Sequence, residues 1–82
     1  MFYVYLLQSE VGKSFYIGQT GSLENRIRKH NNRLVVSTKK RVPWRLLGYE
    51  EYPSRNEARW REYCLKNNYQ EKKKFIEKFL SP

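Results

Sequence analysis

The chain has 82 residues, with 17 Lys and Arg against eight acids and a net charge of +9. All eight acids are Glu, so no site can rest on an Asp cluster. The single Cys64 excludes an intrachain disulfide and a Cys-rich zinc site, and the single His30 excludes a multi-His metal centre. One small core is expected at this length, and the 39% of hydrophobic residues is enough to build it, so the chain is not a disordered basic tail.

Phe2 to Leu7 reads FYVYLL. Aromatic and β-branched residues in that density predict a strand buried on both sides, with Phe2, Val4 and Leu6 on one face and Tyr3, Tyr5 and Leu7 on the other. Gln8 to Ser14 is polar around Gly12 and signals a hairpin. Ser14 to Gly18 is the second strand. The turn does not fix its register, so whether Tyr5 and Tyr16 share a face stays open. Gly18 inside a strand marks a bulge or a close backbone approach.

Ser22 is a candidate N-cap for a first helix. Leu23, Arg26, Ile27 and His30 fall at helical spacing on one face, and Asn31 and Asn32 end the helix. Arg33 to Trp44 is an irregular connection with room for a short helical turn, and it carries Lys39, Lys40 and Arg41. Arg45 to Tyr52 is a third strand, ended by Pro53. Ser54-Arg55-Asn56-Glu57 is a capping box that opens a helix to about Asn67. On that helix Ala58, Glu62 and Leu65 share one stripe, and Trp60, Tyr63 and Cys64 form a second. Gln70 to Leu80 is a last amphipathic helix, with Phe75, Ile76, Phe79 and Leu80 inward and its lysines largely outward. The order β-β-α-β-α-α predicts an α+β fold, a three-stranded antiparallel sheet with helices packed on it.

Several of these residues can carry chemistry. Glu62 points toward the sheet, where an unpaired carboxylate is costly. Its partner is either an arginine such as Arg26 or Arg61, or a Mg²⁺ ion, which proteins hold by one or two carboxylates plus water and phosphate. Arg26 and His30, one turn apart, either clamp a phosphate or fold their polar ends around Ile27. His30 can also exchange a proton near neutral pH. A tyrosine acts as a base only where cations or a metal lower its pKa, and Arg26, His30 and Mg²⁺ would supply that field. Lys39, Lys40 and Arg41 are phosphate contacts if the partner is nucleic acid. Trp44 and Trp60 are expected in the core. The excess of positive charge favours a nucleic-acid partner. No apolar run approaches the about 20 residues of a membrane span, so no membrane association and a cytoplasmic location are expected.

Val4-Tyr5-Leu6 followed by Tyr16-Ile17-Gly18 resembles the two half-motifs of the GIY-YIG endonuclease superfamily. Arg26 and His30 follow Tyr16 at the family's spacing, and Ala58 to Lys66 is similar to the helix that carries the family's metal-binding Glu. Ser37-Thr38-Lys39 with Pro43-Trp44-Arg45-Leu46 is similar to small stand-alone bacterial members. The resemblance covers nearly the whole chain and implies one GIY-YIG nuclease-like domain over residues 1–82. It implies a DNA endonuclease, with RNA also compatible, that uses one Mg²⁺ or Mn²⁺ ion and serves a process such as DNA repair. By that resemblance Tyr5, Tyr16, Arg26, His30 and Glu62 are the catalytic set, Glu62 the metal ligand, and Tyr5 rather than Tyr16 the base. Three positions depart from the family: Tyr3 replaces the glycine of the first half-motif, Gln19 stands where the excision-repair nuclease has lysine, and no late asparagine matches. No second module for target recognition is expected, so strong sequence specificity would need a dimer or a partner. The alternative is a non-catalytic nucleic-acid-binding module on the same fold.

Overall fold

The apolar N-terminal run becomes the middle of the sheet. In the computed structural model, which describes residues 1–80, β1 (Phe2–Ser9) lies between β2 (Phe15–Thr20) and β3 (Trp44–Tyr52), both antiparallel to it. A central strand has both faces covered, which is why FYVYLL has no polar position. The helices are α1 (Leu23–Asn31), α2 (Arg55–Asn67) and α3 (Tyr69–Leu80), with a single 3-10 turn at Lys39–Arg41. The three-stranded antiparallel sheet and the predicted element order are both present.

Side chains alternate across β1, and the two sets enter different clusters. Val4 and Leu6 join Ile17, Ala58, Leu65 and Phe75 beneath α2 and α3. Tyr5 and Leu7 join Trp44, with Tyr16, Leu23 and Ile27 around them, beneath α1. Each fully buried aliphatic side chain stabilises the fold by roughly 1.5–3 kcal/mol. The ladder also settles the register that the turn left open. Tyr5 stands opposite Gly18 and Leu7 opposite Tyr16, so both tyrosines lie on the α1 face.

Local chemistry explains the element ends. The Ser22 backbone is extended, as a cap requires, but its hydroxyl bonds no helix amide. Thr20 Oγ1 instead accepts from the Ser22 N–H at 3.1 Å. Ser54 does cap α2, accepting from the Glu57 N–H at 3.2 Å. The Ser54 hydroxyl also donates to the Glu57 carboxylate at 2.8 Å, so the predicted box closes through side chains rather than by Glu57 returning to the backbone. Asn31 does more than end α1. Its amide accepts from Trp44 N–H at 2.6 Å and donates to Trp44 O at 3.1 Å, tying the helix end to the start of β3.

Two helix expectations change. Trp60 is 67% exposed and not in the core; α2 turns Ala58 and Leu65 inward and leaves the Trp60 side to solvent. Leu80 is 51% exposed, because the inward stripe of α3 is carried by Phe75, Ile76 and Phe79. Phe79 lies against Gly48, where any Cβ would run into its ring. Glu50 on β3 pins both helices. Its carboxylate accepts from Arg61 Nε (2.9 Å), Lys78 Nζ (2.9 Å) and the Tyr52 hydroxyl (2.7 Å).

Candidate active site

The site is assembled where side chains of α1 reach the tyrosines of β1 and β2. The helical spacing of Leu23, Ile27, Arg26 and His30 anchors α1 with its apolar members and aims its ionisable ones at the tyrosines. Arg26 Nε donates to the Tyr5 hydroxyl oxygen at 3.3 Å. That hydroxyl lies 2.9 Å from His30 Nε2, and His30 Nδ1 lies 2.8 Å from Thr38 Oγ1. The Tyr16 ring meets the His30 ring edge-on, with centroids 5.0 Å apart.

The proton positions follow from the end of the chain. Thr38 Oγ1 donates to the Val35 carbonyl at 3.4 Å, which leaves its lone pairs to accept from His30 Nδ1–H. A neutral imidazole has one donor and one acceptor, so Nε2 then accepts the Tyr5 proton. The run is Arg26 to Tyr5 to His30 to Thr38 to Val35, each group donating to the next. Trp44 Nε1 holds the Thr38 carbonyl at 2.9 Å and so fixes the loop that supplies this support.

Burial decides the charge states. Burial, joined by the charge of the Arg26 cation, lowers the pKa of His30 to about 4, so the ring is neutral at pH 7. The phosphate clamp considered for Arg26 and His30 is therefore left to Arg26, since a buried neutral ring carries no charge. Tyr5 departs from the expected lowering. Burial pushes its phenol up to about 12, against the opposing pull of the Arg26 hydrogen bond and charge. Desolvation is the largest cause, and His30, being neutral, adds no positive charge to oppose it.

Glu62 comes to this cluster from α2, past the edge strand β2. Its side chain is 23% exposed. Neither arginine considered for it is its partner: Arg26 serves Tyr5, and Arg61 is held by Glu50 and Glu71. Lys66, one turn along α2, meets Glu62 Oε2 at 2.9 Å and stands 5.4 Å from the centre of the Tyr16 ring. Among the described residues no group of three or more His, Cys, Asp or Glu gathers to cage a metal. A single, partly exposed carboxylate suits Mg²⁺ or Mn²⁺, which keep water and take substrate phosphate as further ligands. Glu62 fits that donor set.

Arg26 also lines a polar cleft of about 440 Å³ with Gln19, Asn25, Lys29 and Arg55. Lys39, Lys40 and Arg41 are exposed on the 3-10 turn. Gly18 proves to be a close approach. A Cβ there would collide with the Tyr5 hydroxyl, so glycine leaves the room that the phenol occupies. The bulge lies elsewhere, on β3 opposite Leu6 and Leu7. Spacing had no means of finding Thr38, because its contact with His30 closes an irregular loop. Lys66 was visible at i+4 from Glu62, the strongest helical ion-pair spacing.

No helix among the described residues is long and apolar enough to cross a membrane. Residues 1–75 match the family model for the GIY-YIG catalytic domain. The chain is similar to the UPF0213 protein CPE1444 of Clostridium perfringens, 40% identical over 67 residues that make up 80% of this chain and 71% of that one. It is 40% identical over 75 residues to the structure-specific endonuclease subunit SLX1 of Debaryomyces hansenii, covering 82% of this chain and 22% of that protein. The solution NMR structure of the UPF0213 protein BH0048 from Bacillus halodurans is similar with a TM-score of 0.57 at 32% identity, over 94% of this chain and 84% of that one. The matched span contains Tyr5, Tyr16, Arg26, His30 and Glu62, and the chain belongs to the GIY-YIG nuclease family.

Proposed function

We propose that this protein is a metal-dependent endonuclease that hydrolyses DNA phosphodiesters and selects branched, flapped or single-stranded structures. The observation that carries this reading is the hydrogen-bonded set of Arg26, Tyr5 and His30, with the Glu62 carboxylate near enough for its charge to act on Tyr5, in a chain of net charge +9. The name of the Debaryomyces relative, a structure-specific endonuclease subunit, supports the selectivity.

Glu62 would hold one Mg²⁺ or Mn²⁺ ion, which supplies Lewis-acid stabilisation of the phosphate and the leaving oxygen. The protein's own groups do the rest. Arg26 faces the cleft with a planar fork suited to phosphate oxygens, and it meets charge that grows as the phosphorane forms. Tyr5 takes the proton of the attacking water as its own hydroxyl proton passes to His30 Nε2. This relay spares Tyr5 from standing as a phenolate, which its raised pKa disfavours. Thr38 keeps His30 in the tautomer that can accept. Lys39, Lys40 and Arg41 hold the strand at a distance from the chemistry.

A second reading is a binding module without catalysis. Lys66 favours it by already neutralising Glu62. Nicking of supercoiled plasmid and of a branched oligonucleotide, with Mg²⁺ or Mn²⁺, separates the two. Cleavage by the wild type and none by Glu62→Gln supports the nuclease. Equal cleavage by both removes Glu62 from the mechanism. No cleavage by either, with salt-sensitive binding intact, supports the binding module.

A further inference from the structure

Trp60 and Tyr63 are large aromatic residues left on the surface of α2, 67% and 57% exposed. A single exposed aromatic calls for no explanation. These two are stacked on each other, with centroids 5.6 Å apart and planes 17° from parallel. Each holds the other's ring in place, and a flat apolar surface faces water.

Their position on the helix gives that surface a direction. Advancing about 100° per residue around the axis, the side chains of α2 follow a fixed order. Ala58 and Leu65 face the core; then come Glu62, Lys66, Arg59, Tyr63 and Trp60. Lys66 stands over the Tyr16 ring, so this sequence leads from the catalytic cluster outward across two cations to the aromatic pair. Tyr63 and Trp60 share the level of Glu62 along the axis to within about 3 Å but stand about 100° and 160° around the helix from it, so a strand must pass Lys66 and Arg59 to reach them. The one carboxylate a turn away from Trp60, that of Glu57, is occupied by the Ser54 hydroxyl at 2.8 Å.

We propose that the Trp60–Tyr63 pair is a stacking platform for an unpaired base of the nucleic acid, separated from the phosphate being cleaved by the Lys66 and Arg59 side of α2. This inference rests on the nuclease reading and names the feature of the substrate that the site selects. The charge pattern chooses the occupant. Arg59 and Lys66 complement a phosphate backbone running from Glu62 to the rings, and any base offers a face of the right size and polarity. Bases inside a duplex are stacked on their neighbours and cannot use the platform. A nucleotide freed at a flap, branch or single-stranded stretch can. Selectivity for structure would then come from α2 itself.

The test uses the full chain carrying Glu62→Gln, with no divalent metal, so that binding is read apart from cleavage. The probes are a single-stranded oligonucleotide, the blunt duplex of the same sequence, and the single strand with abasic sites. Trp44 is buried, so a change in tryptophan fluorescence that Trp60→Phe abolishes reports on Trp60. Binding of the single strand is expected to quench that emission. Replacing both Trp60 and Tyr63 by Ala is expected to weaken single-strand affinity about tenfold, and duplex affinity little. The abasic strand should bind the unsubstituted surface as weakly as the intact strand binds the double variant. Unchanged helical circular dichroism shows that the variant is folded.

Equal losses on duplex and single strand overturn the platform. So does full affinity in the double variant, or a protein that sediments as a dimer until the rings are removed, which would make the surface an interface between copies. Absence of binding to every probe overturns the nucleic-acid reading along with the platform. Binding that ignores the ring substitutions overturns the platform alone.

Discussion

Gly18 stands directly across the β1–β2 ladder from Tyr5, and the phenol hydroxyl fills the space where a Cβ on Gly18 would be. The glycine of the YIG motif is therefore a steric requirement of the Tyr5 side chain, with no turn or unusual dihedral angle behind it. Gly18→Ala is expected to push the Tyr5 hydroxyl off His30 Nε2 and lower cleavage by about 100-fold, since small displacements of reacting groups are costly. Stability should fall by only about 1–3 kcal/mol. Denaturant titration and a plasmid-nicking time course check this. Full activity in a folded Gly18→Ala protein would mean that the contact between Tyr5 and His30 is dispensable.

Thr38→Val removes the hydroxyl that accepts from His30 Nδ1 and keeps the shape. An orphaned donor in a buried site costs about 1–3 kcal/mol, so the fold should weaken by that order. The imidazole loses its preference between tautomers, and cleavage should fall while oligonucleotide affinity holds. Thr38→Ser restores the oxygen and should recover most of the rate. Nitrogen-15 shifts of the single His30 give a direct readout of the tautomer. A valine variant that kept the Nδ1–H form would remove Thr38 from this role.

Lys66 and any metal at Glu62 compete for one carboxylate. Lys66→Met keeps much of the side chain's bulk and removes its charge. Exposed ion pairs of this kind are worth up to about 1 kcal/mol, so the divalent-metal concentration for half-maximal cleavage should fall severalfold. A metal titration of the rate tests it, and an unchanged midpoint would place the metal away from Glu62.

Acid should weaken the fold through two groups of opposite sign. Burial pushes Glu50 up, but hydrogen bonds from Arg61, Tyr52 and Lys78 outweigh it and hold the carboxyl at about 2, against an ordinary 4.5. A depressed carboxyl stabilises above its unfolded pKa, so this contribution is whole above about pH 4.5 and is lost as pH falls toward 2. With Lys78 half exposed it amounts to on the order of 2 kcal/mol. His30 is depressed from 6.5 to about 4, so its neutral burial stabilises fully above pH 6.5 and is lost as pH falls through 4. Stability should therefore decline in two stages on acidification. Glu50→Gln should lower stability at pH 7 and flatten the second stage. A single steep loss unaffected by Glu50→Gln would assign the acid sensitivity to other groups.

Much of this was legible in the sequence because two periodicities carry it. The unbroken apolar run at Phe2–Leu7 could only be a central strand, and the stripe Leu23, Arg26, Ile27 and His30 forced two ionisable groups to face the sheet. The register of Tyr16 was not legible, since the hairpin loop permits slippage and only the packed ladder fixes parity. Thr38 escaped because pattern reading has no purchase on irregular chain. Trp60 was misplaced because size and apolarity argue for burial, whereas the inward stripe of α2 is already filled by Ala58 and Leu65. Tyr5's pKa was misjudged because residue spacing reports charges and not the depth at which they sit.

The alternation along β1 separates two kinds of change. Substitutions at the even positions Val4 and Leu6 meet the packing under α2 and α3, and act on whether the chain folds. Substitutions at the odd positions Tyr5 and Leu7 meet the cluster under α1, where a lost contact disturbs both the packing and the residues that face Arg26 and His30. A single eight-residue strand thus places one core cluster on its α2–α3 face and, on its other face, a core cluster continuous with the polar set of Arg26, Tyr5 and His30.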